Sequence, residues 1–342
     1  MNSRRHFIKS TGLLAAASLF TPTEVLSQNL ISEKGKIKPP ALKAGDTVAI
    51  TSPAGAVWDD TQVETFTTIL KSFGFNVIHG KTLTEKFGYF AGTDELRSNE
   101  LNELFADKTV KGIFCMKGGW GCARLLDKID YTLIEKNPKV LIGFSDITAL
   151  LIAITTKTGL ITFHGPVGNS GWNDFTKSVF TNVTMTTNSF HLPENPFTEN
   201  APVIINPGKA TGELVGGNLT VLSSLIGSGY LPDWKNKLLF LEEVKEEPYS
   251  IDRMLTQLKL SGILNSISGF VFGKCAKCLA EEPLKSFTFH EVLLQHIQPL
   301  GIPAFYGAMI GHIENKLTVP IGIKASMDAE KGTISLDENS VV

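Results

Sequence analysis

The stretch Val140-Leu141-Ile142-Gly143-Phe144-Ser145-Asp146-Ile147-Thr148-Ala149-Leu150 decides the fold class. A strand expected over 139–142, apolar from Val140 onward, meets a helical pattern from Asp146 to about Thr155, with almost no loop between them. A fully apolar strand that feeds straight into a helix is the building unit of a buried parallel sheet. The same alternation recurs upstream. A β-branched run over 46–52 ends at Pro53-Ala54-Gly55, and 60–73 carries Val63, Phe66, Ile69, Leu70 and Phe73 at helical spacing. A strand is expected over 75–78, and a helix over 94–106 with Asp94 as its cap and Leu96, Leu101, Leu104 and Phe105 inward. A third strand is expected over 110–116 and a helix over 122–129. Strands alternating with helices predict a parallel sheet covered on both faces.

The texture changes after Gly159. Residues 165–205 are rich in Asn, Thr, Pro and Phe without a sustained period, and read as a connecting or lid-bearing segment. Beyond Thr211, strands are expected over 238–244, 267–272, 304–310, 316–319 and 332–336, with helices over 251–260 and 287–297. This reads as a second, smaller α/β domain richer in antiparallel strands. The organisation expected is an N-terminal α/β domain over 41–175, a connecting segment over 176–210 and a C-terminal domain over 211–342. Two domains suit 342 residues, and 42% hydrophobic with 19% charged residues suits a globular chain with a real core. The net charge of −2 offers no basic surface, which argues against nucleic acid as a partner.

The first 27 residues read as an export signal. Arg4-Arg5 precedes Phe7 and Lys9, an Ala/Leu-rich run follows from Thr11 to Phe20, and Val25-Leu26-Ser27 supplies small residues for cleavage. The paired arginines match the twin-arginine type, so a periplasmic protein is expected, with 28–40 as a linker. The apolar run is too short to span a bilayer, and no cysteine stands near the cleavage site, so no membrane anchor is expected. Cys275-Ala276-Lys277-Cys278 has metal-site spacing but lacks a second pair of ligands, which favours ordinary thiols or one local disulfide.

Ser145 admits two readings of equal weight. A strand-to-helix junction holds a hydroxyl out at the sheet edge, where free N–H groups favour developing negative charge. A serine there also serves simply as a helix cap. Only half of a G-x-S-x-G pattern is present, since Ile147 stands where the second glycine would be. Lys117-Gly118-Gly119-Trp120-Gly121 also follows a strand; it reads as a tight turn, or as the other half of an oxyanion site at the same edge. A serine nucleophile needs a base and a carboxylate that steers it. His164 and His312 both flank glycine turns, and spacing does not choose between them. Glu242 and Glu243 end a strand, where adjacent side chains point to opposite faces, so at most one is expected to face the site; a solvated acidic edge is the other reading.

Taken in order, these segments resemble one family. Lys117-Gly118-Gly119-Trp120-Gly121 with Arg124-Leu125-Leu126, Ile142-Gly143-Phe144-Ser145-Asp146, Gly212-Glu213-Leu214-Val215-Gly216-Gly217-Asn218, Leu241-Glu242-Glu243-Val244 with Ile251-Asp252-Arg253, and Gly311-His312 are similar to the LD-carboxypeptidases of serine peptidase family S66. The resemblance runs from about residue 41 to 325. It implies a flavodoxin-like N-terminal domain joined to a smaller β-rich domain, with the site at their junction. It also implies a Ser145, Glu242 and His312 triad, an oxyanion hole from the backbone N–H groups of Gly119 and Asp146, and no metal or other cofactor. Trp120, Arg124 and Arg253 are the substrate-binding candidates, the arginines by motif. The implied reaction removes the terminal D-alanine from a murein tetrapeptide; the expected partner is that peptide, and a homodimer is compatible. Two other readings stand beside it. Some members hydrolyse aminoacyl-nucleotide antibiotics and confer immunity, and two α/β domains behind a signal also suit a non-catalytic periplasmic binding protein.

Overall fold

The computed structural model describes residues 35–188, 190–193 and 201–342. The export signal expected over 1–27, including Arg4 and Arg5, lies outside the described residues. The first half of the chain alternates as its apolar pattern requires: β1 (Thr47–Thr51), α1 (Asp60–Ser72), β2 (Asn76–His79), α2 (Asp94–Ala106), β3 (Val110–Cys115), α3 (Tyr131–Lys136), β4 (Val140–Gly143), α4 (Thr148–Thr158), β5 (Thr162–His164) and α5 (Asp174–Thr184). The second half contains β6 (Val203–Asn206), β7 (Lys209–Asn218), α6 (Leu219–Ser224), β8 (Leu238–Val244), α7 (Pro248–Leu260), β9 (Gly269–Ala276), α8 (Phe289–Ile297), β10 (Ala304–Tyr306), β11 (Val319–Ile321), β12 (Ile323–Asp328) and β13 (Thr333–Leu336).

The first sheet has the strand order β11-β5-β4-β3-β1-β2. Strands β1 to β5 are mutually parallel in the order 2-1-3-4-5 of flavodoxin-like sheets. That order reverses between β1 and β3, so the loops leaving these two strands diverge and open a crevice at the carboxyl edge, where such sheets bind ligands. The second sheet has the order β13-β12-β7-β8-β9-β10-β6. Its centre, β7-β8-β9-β10, is parallel, and antiparallel pairing is confined to its two sides. The parallel centre follows from α6, α7 and α8, which return the chain in the same sense.

Helix α4 is buried on nearly every face, which its all-apolar composition from Ala149 to Ile154 permits. Its first residue meets the end of β7: Thr148 Oγ1 accepts from the Asn218 N–H at 3.1 Å, and a Cβ on Gly217 would stand 2.4 Å from the Thr148 methyl. One continuous apolar cluster runs through both sheets. The chain also crosses back late, because β11 adds antiparallel to β5 and sets Val319 opposite His164.

Several local expectations shift. Residues 122–129 form only a 3-10 turn at Cys122–Leu125, since Gly121 enters it with φ +98° and Asp146 takes the Cys122 N–H. The α2 cap is Thr93, whose hydroxyl accepts from Leu96; Asp94 is occupied instead by Arg97 and Arg124. The segment read as irregular holds α5, with Val179, Phe180 and Val183 buried. Cys275 and Cys278 form a disulfide, and Cys115 and Cys122 are buried thiols pushed up by that burial.

Candidate active site

Ser145 occupies the sharp joint between β4 and α4. Its φ is +63°, a left-handed conformation rare for a residue with a side chain. Such backbone costs ~1–3 kcal/mol and persists where the surroundings enforce it. Here Ile147 folds back so closely on the strand end that a Cβ on Gly143 would stand 2.7 Å from its methyl carbon. Gly143 thus supplies close approach on one side of the serine, and Ile147 fills the place of the missing second glycine. Gly118 supplies it on the other: a Cβ there would lie 2.8 Å from Ser145 Cβ and 2.9 Å from its Oγ. The serine does not cap α4, since neither the turn at Ser145 nor the helix start at Ile147 has a side-chain cap.

The loops of the crevice converge on this hydroxyl. Gly119, with φ +130°, packs against Gly55 from the β1 loop, and Gly55 donates its N–H to Gly118 O at 3.2 Å. Arg97 braces both loops from below. It is fully buried, donates to Pro53 O at 2.6 Å and Gly121 O at 3.2 Å, and pairs with Asp94 at 2.6 Å. The Asp146 carboxylate accepts the Cys122 N–H at 2.9 Å and pins the glycine loop to the serine turn. Burial raises the Asp146 carboxyl above its ordinary range, against the lowering effect of that N–H. The backbone N–H groups of Gly119 and Asp146 find no backbone acceptor outside the helical turns among the described residues.

The second sheet delivers the imidazole and carboxylate. His312 Nδ1 lies 2.8 Å from Glu242 Oε2, and its ring meets Phe144 edge-on with centres 4.7 Å apart. Gly311, with φ +115°, lets the turn pass over Glu242; a Cβ there would lie 2.8 Å from Oε2. Glu242 is fully buried. Burial alone pushes its carboxyl up, but His164 and His312 more than offset this and hold it at about 2. A carboxylate only accepts, so Nδ1 of His312 donates to Glu242, which leaves Nε2 as the ring nitrogen not engaged by it.

Both acids of the Leu241-Glu242-Glu243 run are buried, which overturns a solvated edge. A register shift between Leu241 and Glu243 turns them toward one partner, so Asn218 Nδ2 reaches Glu242 at 3.2 Å and Glu243 at 3.1 Å. Glu243 serves backbone instead of imidazole. It accepts from the Thr220 N–H and hydroxyl, each at 2.8 Å, and from the Val244 N–H at 2.9 Å. His164 is buried with its Nε2 3.9 Å from the other Glu242 oxygen, so both histidine candidates face one carboxylate.

Ser145 and His312 line a cavity of about 170 Å³ together with Lys117, Gly118, Gly119, Phe144, Val167 and Asn169. Trp120 does not line it; it is two-thirds exposed and edge-on to Tyr89. The other two binding candidates do not line it. Arg124 pairs with Asp94 at 2.8 Å and lies over Phe90, and Arg253 lies over Tyr249 on α7. Arg97, Lys117, Asn169 and Asn218 carry the architecture without having stood out in the sequence. Only Lys117 and Asn218 belong to quoted motifs, and burial of a cation such as Arg97 leaves no mark in composition.

Comparison with known proteins gives the family and the fold. Residues 48–165 match the LD-carboxypeptidase N-terminal domain and 211–327 the LD-carboxypeptidase C-terminal domain. A probable murein peptide carboxypeptidase of Bacillus subtilis is 40% identical over 306 residues, covering 88% of this chain and 94% of the relative. The microcin C7 self-immunity protein MccF of Escherichia coli is 30% identical, covering 87% and 94%. The wild-type apo structure of MccF superposes with a TM-score of 0.82 at 28% identity, covering 90% of this chain and all of that one. The muramoyltetrapeptide carboxypeptidase of Oxalobacter formigenes gives 0.76 at 29% identity, covering 86% and 99%. With both halves matched, a carboxypeptidase relative at 40% identity and the two-sheet fold shared, the chain belongs to the LD-carboxypeptidase family of S66 peptidases.

Proposed function

We propose that the protein is an exported serine carboxypeptidase that cleaves the L,D bond before the terminal D-alanine of murein tetrapeptides. The observation that carries the chemistry is the strained Ser145 in one cavity with His312, whose far nitrogen is held by the buried Glu242. In this reading Ser145 Oγ attacks the carbonyl carbon of the L-centre and His312 Nε2 takes its proton. The N–H groups of Gly119 and Asp146 receive the oxyanion. The tetrahedral species collapses, the C–N bond breaks, and the imidazolium gives its proton to the departing amine. Water then repeats the attack on the acyl-serine and releases the tripeptide carboxylate. Glu242 steers the ring and balances its charge, and the chemistry uses no metal.

The substrate class is supported by the murein peptide carboxypeptidase at 40% identity. The likeness to MccF, a structure of which holds aspartyl sulfamoyl adenosine, supports hydrolysis of an aminoacyl-nucleotide as the second reading. Higher identity to the murein relative and the export signal read at Arg4-Arg5 favour murein. The deciding assay is D-alanine release by the mature protein from L-Ala-γ-D-Glu-meso-diaminopimelate-D-Ala, beside the diastereomer ending in L-alanine. The D-ending peptide is expected to react at least about tenfold faster, the equivalent of one lost charge-assisted hydrogen bond. Ser145→Ala should abolish release from both. Equal rates on the two peptides, or activity surviving in Ser145→Ala, refutes the reading.

A further inference from the structure

We infer that Lys117 is the residue that selects a free C-terminal carboxylate, by holding that of the leaving amino acid beside the serine; this rests on the carboxypeptidase reading above. A carboxypeptidase differs from other peptidases in one physical respect, since it must bind an anion next to the scissile bond. An anion drawn out of water needs a cation or a set of hydrogen bonds waiting for it. Among the residues that line the Ser145 cavity, Lys117 is the one with a fixed positive charge, and none carries a negative charge. His312 lies there too, but its ring is committed to Glu242 and to the serine proton.

The other nearby cations are spent. Arg97 and Arg124 share Asp94. Lys316 is buried over the Phe144 ring and donates to Ser170 at 3.2 Å; burial brings its ammonium down to about 8. Lys117 has no carboxylate partner among the described residues. Its ammonium donates to one backbone carbonyl, Ala56 O, at 3.1 Å, and two of its three protons remain for a ligand. That single bond lays the side chain across the crevice, with its Cε 3.4 Å from where a Cβ on Gly55 would be. On the same loop Gly118 packs so close to Ser145 that a Cβ there would lie 2.8 Å from the serine Cβ, and Lys117 and Ser145 line one cavity.

Cavity size decides which carboxylate is meant. A stem tetrapeptide carries several, but about 170 Å³ is smaller than the few hundred Å³ usual for a drug-sized ligand and suits a single small residue. The terminal alanine fits that description, and the longer acyl part extends outside.

The test compares the tetrapeptide with its C-terminal amide, which keeps the shape and removes the charge. Wild-type kcat/KM is expected to favour the acid about tenfold to hundredfold, the usual worth of a charge-assisted hydrogen bond. In Lys117→Met that ratio should fall to near one, while Lys117→Arg retains part of it. A thermal melt checks that each variant is folded. A Lys117→Met enzyme that keeps the wild-type acid-to-amide ratio overturns the assignment. So does one that loses activity on acid and amide alike. Calorimetric binding of both peptides to Ser145→Ala, with and without Lys117→Met, reads the same preference without turnover. If the wild type releases no alanine, the reaction assigned above fails. Lys117 is then decided by binding alone: an acid preference that disappears with Lys117→Met supports it, and equal affinities overturn it.

Discussion

Glu242→Gln removes the charge at nearly constant shape and turns an amide NH2 toward Asn218 or His312, one of the two donors the carboxylate accepts from. The carboxylate is fully buried and held at about 2 against an ordinary 4.5. That difference corresponds to ~3 kcal/mol favouring the charged form, an order-of-magnitude figure for the interaction with its imidazole neighbours net of burial. In the proposed mechanism the same interaction stabilises the imidazolium that forms when His312 takes the serine proton. Its loss should therefore lower kcat by about a hundredfold, with the melting temperature changed by only a few degrees. The sign of the pH effect follows. A depressed carboxyl contributes stability that is complete above pH 4.5 and is lost as pH falls toward 2. Wild type should lose stability in that window, and Glu242→Gln should lose less. The control is Glu243→Gln, which puts an amide against the donors of Thr220 and Val244. It should cost ~1–3 kcal/mol of stability and less turnover than Glu242→Gln. Stopped release of D-alanine, urea unfolding and circular dichroism measure all three quantities. A folded Glu242→Gln enzyme within threefold of wild-type kcat, or Glu243→Gln as the more damaging change in turnover, would show the reasoning to be wrong.

Gly118→Ala should cut turnover by at least about tenfold, since its Cβ would stand 2.9 Å from Ser145 Oγ; near-normal activity in a folded variant would mean that the loop yields freely. Arg97→Met should destabilise by ~3–5 kcal/mol, because it leaves the loop carbonyls and Asp94 short of a buried partner; urea denaturation with less than ~1 kcal/mol of change counts against the bracing role. Replacing Arg4 and Arg5 with lysine should retain the protein in the cytoplasm, and unchanged periplasmic delivery in a fractionation experiment contradicts twin-arginine export.

The fold was legible where burial imposes a period. The apolar run into β4 and the alternation from β1 to α4 follow from a sheet covered on both faces; β1 to β4, α1 and α2 fall within a residue or two of expectation, whereas the helix expected over 122–129 is only a 3-10 turn and α3 was not anticipated. Helix α5 was missed because its inward residues, Val179, Phe180 and Val183, are diluted by threonine and asparagine in a segment whose neighbours have no period. The extent of parallel pairing in the second sheet was also hidden, since a single strand does not announce the direction of its neighbour. At the site, motif register with the family singled out Ser145, Glu242 and His312, and the structure brings the imidazole, the carboxylate and the serine cavity together. The placement of Arg124 was not readable, because its partner Asp94 lies 30 residues away. Nor was the turning of Glu242 and Glu243 onto one amide, which depends on a bulge instead of a residue type.

Strand β11 has a further consequence. It comes from the last part of the chain yet closes the open side of β5, beside His164. A nascent chain that has made only its first half presents an unpaired parallel edge, the kind of surface that recruits other strands and aggregates. It also displays a serine with neither His312 nor Glu242 within reach. Under the proposed mechanism, the hydrolytic centre therefore comes into being only when the carboxyl-terminal portion has folded back and sealed the earlier sheet. A fragment released early would be sticky but chemically harmless, and turnover itself becomes a readout of whether the entire chain has closed.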